Sequence, residues 1–124
     1  MKVKLGLFFV LISLYLVGCQ GTSFKVVCKP SSELTSSADT GKLKLSWNYG
    51  NEKDLIGYRI YYGTSSQKYT NCVDIGKPAE SSPGVIEYLL SGLVTGKQYY
   101  IAVVAVGKNN QQSNFSTGVS GVAK

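Results

Sequence analysis

Hydrophobic positions divide the chain into two unlike parts. From Leu5 to Val17 the segment LGLFFVLISLYLV is almost continuously apolar, with Lys2 and Lys4 ahead of it. Beyond residue 19 the pattern changes to short apolar segments separated by polar stretches rich in glycine, serine and asparagine. KLKLSW, Lys42 to Trp47, alternates strictly, with Leu43, Leu45 and Trp47 on one face and Lys42, Lys44 and Ser46 on the other. That period of two is the mark of a half-buried strand. YRIYYG (58–63), YTNCVDIG (69–76), VIEYLLSGL (85–93) and STGVSGVA (116–123) carry the aromatic and branched residues of further strands. YYIAVVAV (99–106) is the most apolar segment after the leader and predicts a central strand. NYGNEKDLIG, TSSQ, KPAESSPG and GKNNQQSN read as the turns and loops between them. No helix of any length is predicted, and this succession of strands and turns implies an all-β sandwich or barrel.

Alternation also assigns faces. Leu34, Leu43, Leu45, Trp47, Tyr58, Ile60, Leu93, Tyr99, Ile101, Val103 and Ala105 point inward. Arg59 and Tyr61 point outward from one strand, and Tyr100, Ala102 and Val104 from its expected neighbour. Tyrosines, an arginine and a small apolar strip are side chains of contact surfaces. Arg59, Tyr61, Tyr100 and Val104 are therefore a candidate binding face, although the same composition also serves cross-strand pairing that only stabilises a sheet. Consecutive Val103 and Val104 make the strand apolar on both faces, so its outer side needs a cover: a partner, a second copy or the chain's own N-terminal segment.

Composition narrows the chemistry. The chain has no histidine, which removes the commonest general base and metal ligand. Cys19, Cys28 and Cys72 match no zinc spacing, so neither a metal nor a catalytic cofactor is expected. Thirteen basic residues, two of them Lys2 and Lys4, stand against seven acids and are scattered singly, which describes a mildly basic surface and no nucleic-acid site. Glu52 and Asp54 flank Lys53 in a loop and read as a solvated turn instead of a catalytic carboxylate pair. Without histidine or a nucleophile elbow the serines have no triad to join. GKPAESSPG lacks the spacing and following helix of a phosphate loop. The chain is read as a non-enzyme.

A charged start followed by an apolar run of this length describes an export signal, and the run is shorter than the ~20 residues a membrane span needs. At its end Leu16-Val17-Gly18-Cys19 resembles the lipobox of bacterial lipoproteins. The resemblance implies a diacylglycerol on the Cys19 thiol and cleavage that makes Cys19 the first mature residue. It divides the chain into a signal peptide (1–18), a lipidated N-terminus and tether (19–29) and a domain (30–124). Gln20, where sorting to an inner membrane favours aspartate, implies an outer membrane in a two-membrane envelope. Cys28 and Cys72 then remain, and an oxidising compartment favours a bridge between them. Free thiols and an intermolecular pair stay open, because Cys28 precedes the first strand whereas Cys72 sits on an edge strand.

LSW, GYRIYYGTSS and LVTGKQYYIAVVAV together resemble a fibronectin type III domain. Leu93, Gly96, Tyr99, Ile101, Val103 and Ala105 fall on the family's pattern, with Thr95 where proline is usual. The resemblance implies an immunoglobulin-like, seven-stranded β-sandwich whose core includes Trp47, Tyr58, Leu93 and Tyr99. Tyr99 would form a tyrosine corner, its hydroxyl bonded to the backbone a few residues upstream. The implied function is a non-catalytic module at a bacterial envelope membrane that contacts a protein or glycan partner. The alternative is a structural or assembly component of an envelope complex.

Overall fold

The computed structural model describes residues 2–4, 26–34, 40–48 and 54–124. Most of the expected signal peptide, the lipobox with Cys19, and Glu52 lie outside the described residues. Nine strands among the described residues form two sheets: β1 (Lys2–Lys4), β2 (Cys28–Pro30), β3 (Gly41–Asn48), β4 (Leu55–Gly63), β5 (Asn71–Gly76), β6 (Glu80–Ser82), β7 (Val85–Leu93), β8 (Gln98–Gly107) and β9 (Val119–Val122). One sheet has the order β1-β3-β7-β6 and the other β2-β5-β4-β8-β9. The chain is an all-β sandwich.

Six of these strands correspond to the alternating segments of the sequence, and three short ones do not. β6 lies in KPAESSPG, where a tight turn returns the chain onto β7 with the Gly84 amide donating to the Glu80 carboxylate at 3.1 Å. Three polar residues carry no alternation from which to read a strand. β2 lies at the end of the expected tether and runs parallel to β5, with Cys28 opposite Cys72 and Pro30 opposite Asp74. β1 brings the charged start of the chain parallel to β3, with Lys2 opposite Lys44 and Lys4 opposite Ser46.

Between the sheets lie Leu43, Leu45, Trp47, Tyr58, Ile60, Val73, Ile86, Leu90, Ile101, Val103 and Ala105, all buried. Each large apolar side chain withdrawn from water stabilises the sandwich by roughly 1.5–3 kcal/mol. The rings of Trp47 and Tyr58 meet edge-on across the two sheets, with centroids 5.3 Å apart. Leu34 is only partly buried at the margin of this core. At one end the Val94 amide donates to the Tyr99 hydroxyl at 2.9 Å, which fixes the turn between β7 and β8. Lys124 closes the same end. It exchanges two backbone hydrogen bonds with Lys42 of β3, at 2.9 and 3.1 Å, so the last residues of the five-stranded sheet bind the other sheet directly.

Candidate functional site

β8 is bonded to β4 along one edge and to β9 over only the first part of the other. The remaining stretch of that edge is covered by residues 111–116, which form no regular strand but follow β8 closely. Their amides of Ser113 and Ser116 donate to the carbonyls of Ala105 and Val103 at 3.0 and 2.9 Å. In return the hydroxyl oxygens of Ser113 and Ser116 accept the amides of Ala105 and Val103, both at 2.9 Å. Serine side chains thus satisfy ladder donors that an irregular backbone leaves behind, as buried N–H groups require.

This path lifts Phe115 over the outer face of β4. Its ring meets Tyr61 edge-on at 5.0 Å and Tyr69 at 5.2 Å. Beneath, Tyr61, Cys72 and Val104 form a second small apolar cluster, flanked by Val26, Cys28 and Tyr69. The Tyr61 hydroxyl donates to Gln112 Oε1 at 3.2 Å, with the Cys28 sulfur 3.7 Å away. Cys28 and Cys72 are joined in a disulfide, which ties β2 to the edge of β5. The N-terminal segment and the 111–116 segment therefore cover this face from two sides.

Accordingly, the candidate face of Arg59, Tyr61, Tyr100 and Val104 is not an open surface. Val104 is 1 % exposed and Tyr61 9 %. Arg59 is occupied, with Nε donating to Asp74 at 3.1 Å and the guanidinium also bonded to Asn110 Oδ1 at 2.9 Å. Alternation identified which side of the sheet these residues occupy, but the cover comes from chain remote in sequence. Of the four, Tyr100 borders an accessible concavity.

That concavity is a groove of about 730 Å³ between the β4–β5 connection and the run into β9. Tyr69, Tyr100 and Phe115 supply its rings, and Ser66, Gln67, Thr117 and Ser120 its polar side chains. The β4–β5 connection is tightly folded: the Lys68 amide bonds the Ser65 carbonyl at 3.2 Å, and Gln67 takes φ +59°. A Cβ at Gly63 would collide with the Lys68 carbonyl oxygen, so only glycine permits this approach. Burial raises the Tyr69 phenol above its ordinary value of 10.0. Phe115 is a lone aromatic in the polar stretch QQSNFST, and that isolation was the available signal. Tyr69 was read as the start of the strand YTNCVDIG, whereas that strand begins at Asn71 and leaves Tyr69 in the connection before it.

Among the described residues, no carboxylate, cationic side chain or thiol lines the groove. Asp54, Asp74 and Glu87 pair with Lys108, Arg59 and Lys44. No group of three or more metal-ligating side chains occurs among the described residues. A sandwich with a hydroxyl-bonded tyrosine at its corner matches the model for the fibronectin type III domain over residues 29–121. The chain belongs to the fibronectin type III family. No curated protein and no solved structure matches it significantly. Fibronectin type III domains are commonly non-catalytic interaction or structural modules.

Proposed function

We propose that the chain is a lipid-anchored, non-catalytic binding module of a bacterial envelope. The observation that carries the binding role is the groove beside Phe115, where a ring 53 % exposed is nonetheless held by two ring contacts. An aromatic fixed in place while open to solvent gives up little freedom when it binds, which is the property of a contact anchor.

Anchoring is supported by the sequence: the charged start, the apolar run and Leu16-Val17-Gly18-Cys19 suit acylation of the Cys19 thiol. Burial of acyl chains contributes about 0.8 kcal/mol per methylene, so two or more chains hold a small domain at a bilayer. Cleavage before Cys19 would remove β1 and leave β3 without that neighbour. The disulfide ends the free tether at Cys28, and the intervening residues reach about 30 Å when extended. Gln20 favours the outer membrane where there are two.

Palmitate labelling of the chain and of Cys19→Ser in a bacterial host tests the anchor. Loss of label in the variant is expected, and equal labelling of both would remove the anchoring claim. Cross-linking in the envelope tests the binding role. Capture of a distinct partner dependent on Phe115 is expected, whereas recovery only of the chain itself would favour a structural component.

A further inference from the structure

We propose that the groove binds a neutral glycan chain; this rests on the binding-module reading and names its ligand class. Three features of the groove lead there.

The first is charge. The chain carries thirteen basic and seven acidic residues, yet none of the described residues that line the groove is charged. An anionic polymer, an acidic peptide or a phosphate group would find no counter-charge there, and burying an unpaired charge against aromatic rings is unfavourable.

The second is the kind of polar group present. Ser66, Thr117 and Ser120 offer hydroxyls and Gln67 an amide, each able both to donate and to accept. A sugar hydroxyl has the same dual character, so it can pair reciprocally with such groups. A proline-rich peptide, the other common occupant of aromatic grooves, presents carbonyl acceptors almost alone and would leave half of that capacity unused.

The third is the platform. Sugar rings present flat C–H faces that pack against aromatic rings, and a site for a chain of them needs several rings along one groove. Tyr69, Tyr100 and Phe115 border the groove, with Phe115 braced against both Tyr61 and Tyr69. The left-handed Gln67 and the pinned Ser116 hold the two walls. Gly118 keeps the floor low: a Cβ there would stand 3.2 Å from the Tyr69 hydroxyl.

The test titrates the full ¹⁵N-labelled chain, extracted in mild detergent, with neutral cello-, malto- and galacto-oligosaccharides, a polyanionic oligosaccharide and a proline-rich peptide. Saturable amide shifts confined to residues 66–69, 100 and 115–120 with a neutral sugar are expected. Their affinity should fall about tenfold in Phe115→Ala and be insensitive to salt, while Leu89→Ala, on β7 of the other sheet, leaves it unchanged. Because Phe115 also covers the Tyr61 cluster, Tyr100→Ala, which leaves that cover in place, is the second variant: weakened sugar binding is expected in it too, and unchanged affinity would overturn the ring platform. Groove shifts with the peptide and none with sugars would overturn the ligand class while leaving the binding-module reading intact. Preference for the polyanion, fading with salt, would overturn it likewise. No response at the groove to any probe would overturn the groove as a site, and capture of a distinct partner in the envelope cross-linking, whether or not it depends on Phe115, would then decide the module reading.

Discussion

Cys28 and Cys72 stand opposite one another in the parallel ladder between β2 and β5, with Cα atoms 4.4 Å apart and sulfurs bonded. The bond closes a loop of 44 residues that holds β3 and β4, so it restricts the unfolded chain considerably. Its removal in Cys28→Ala/Cys72→Ala is expected to lower stability by about 2–4 kcal/mol. Urea unfolding of the variant against the oxidised parent measures this. Alkylation of the native, unreduced protein supplies the independent check, and two reactive thiols at these positions would contradict the bond.

Trp47 is 1 % exposed and its ring meets Tyr58, which couples β3 of one sheet to β4 of the other. Its indole N–H has no hydrogen-bond partner among the described residues, and packing is the contact the ring makes there. Trp47→Ala is therefore expected to cost about 3–5 kcal/mol. Trp47→Phe retains most of the ring and forfeits no hydrogen bond, and should cost clearly less. Denaturant unfolding followed by circular dichroism ranks the two, and equal costs would mean that ring volume is not what Trp47 provides.

The inner face of the sandwich was legible because burial on one side imposes alternation. Leu43, Leu45 and Trp47, then Tyr58 and Ile60, then Ile101, Val103 and Ala105 each follow a period of two and each lie in the core. The outer face was not legible in the same way. Arg59, Tyr61 and Val104 share that face, but alternation cannot say what lies above it. The cover is in part the N-terminal segment, through Val26 and Cys28, which was one of the options the sequence offered. The other part is Phe115, carried by a segment whose backbone departs from strand geometry after Asn109 and Asn110 take φ +60° and +62°. Such a segment has no periodicity to betray it. β2 was missed for a related reason: three residues, one of them a proline, carry too little pattern, and their place on β5 is fixed by a partner 44 positions away.

Ser113 shows what holds that irregular segment. It is 8 % exposed, and its hydroxyl accepts the Ala105 amide at 2.9 Å while donating to the Asn114 carbonyl at 2.9 Å. Ser113→Ala strands the Ala105 amide in the interior, at an expected cost of about 1–3 kcal/mol. Hydrogen exchange at Ala105 should accelerate by more than exchange in β3, which the serine does not touch. An unchanged Ala105 rate would show that the backbone bond from the Ser113 amide suffices.

Alkaline pH tests the half-buried phenols. Tyr62 is raised above 10.0 by burial, with Tyr99 and Tyr88 adding repulsion to its ionised form, and burial also raises Tyr69 and Tyr88. In the unfolded chain these groups ionise near 10, whereas in the folded protein they keep their protons to higher pH. The folded state thus binds more protons in that window. Their contribution to stability is complete below pH 10 and is lost as pH rises through the raised folded values. The urea midpoint should accordingly fall above about pH 10. A Tyr62→Phe/Tyr69→Phe/Tyr88→Phe variant cannot ionise at these positions and should lose less over the same range. An identical decline in the variant would assign the alkaline loss to other groups, the lysines foremost.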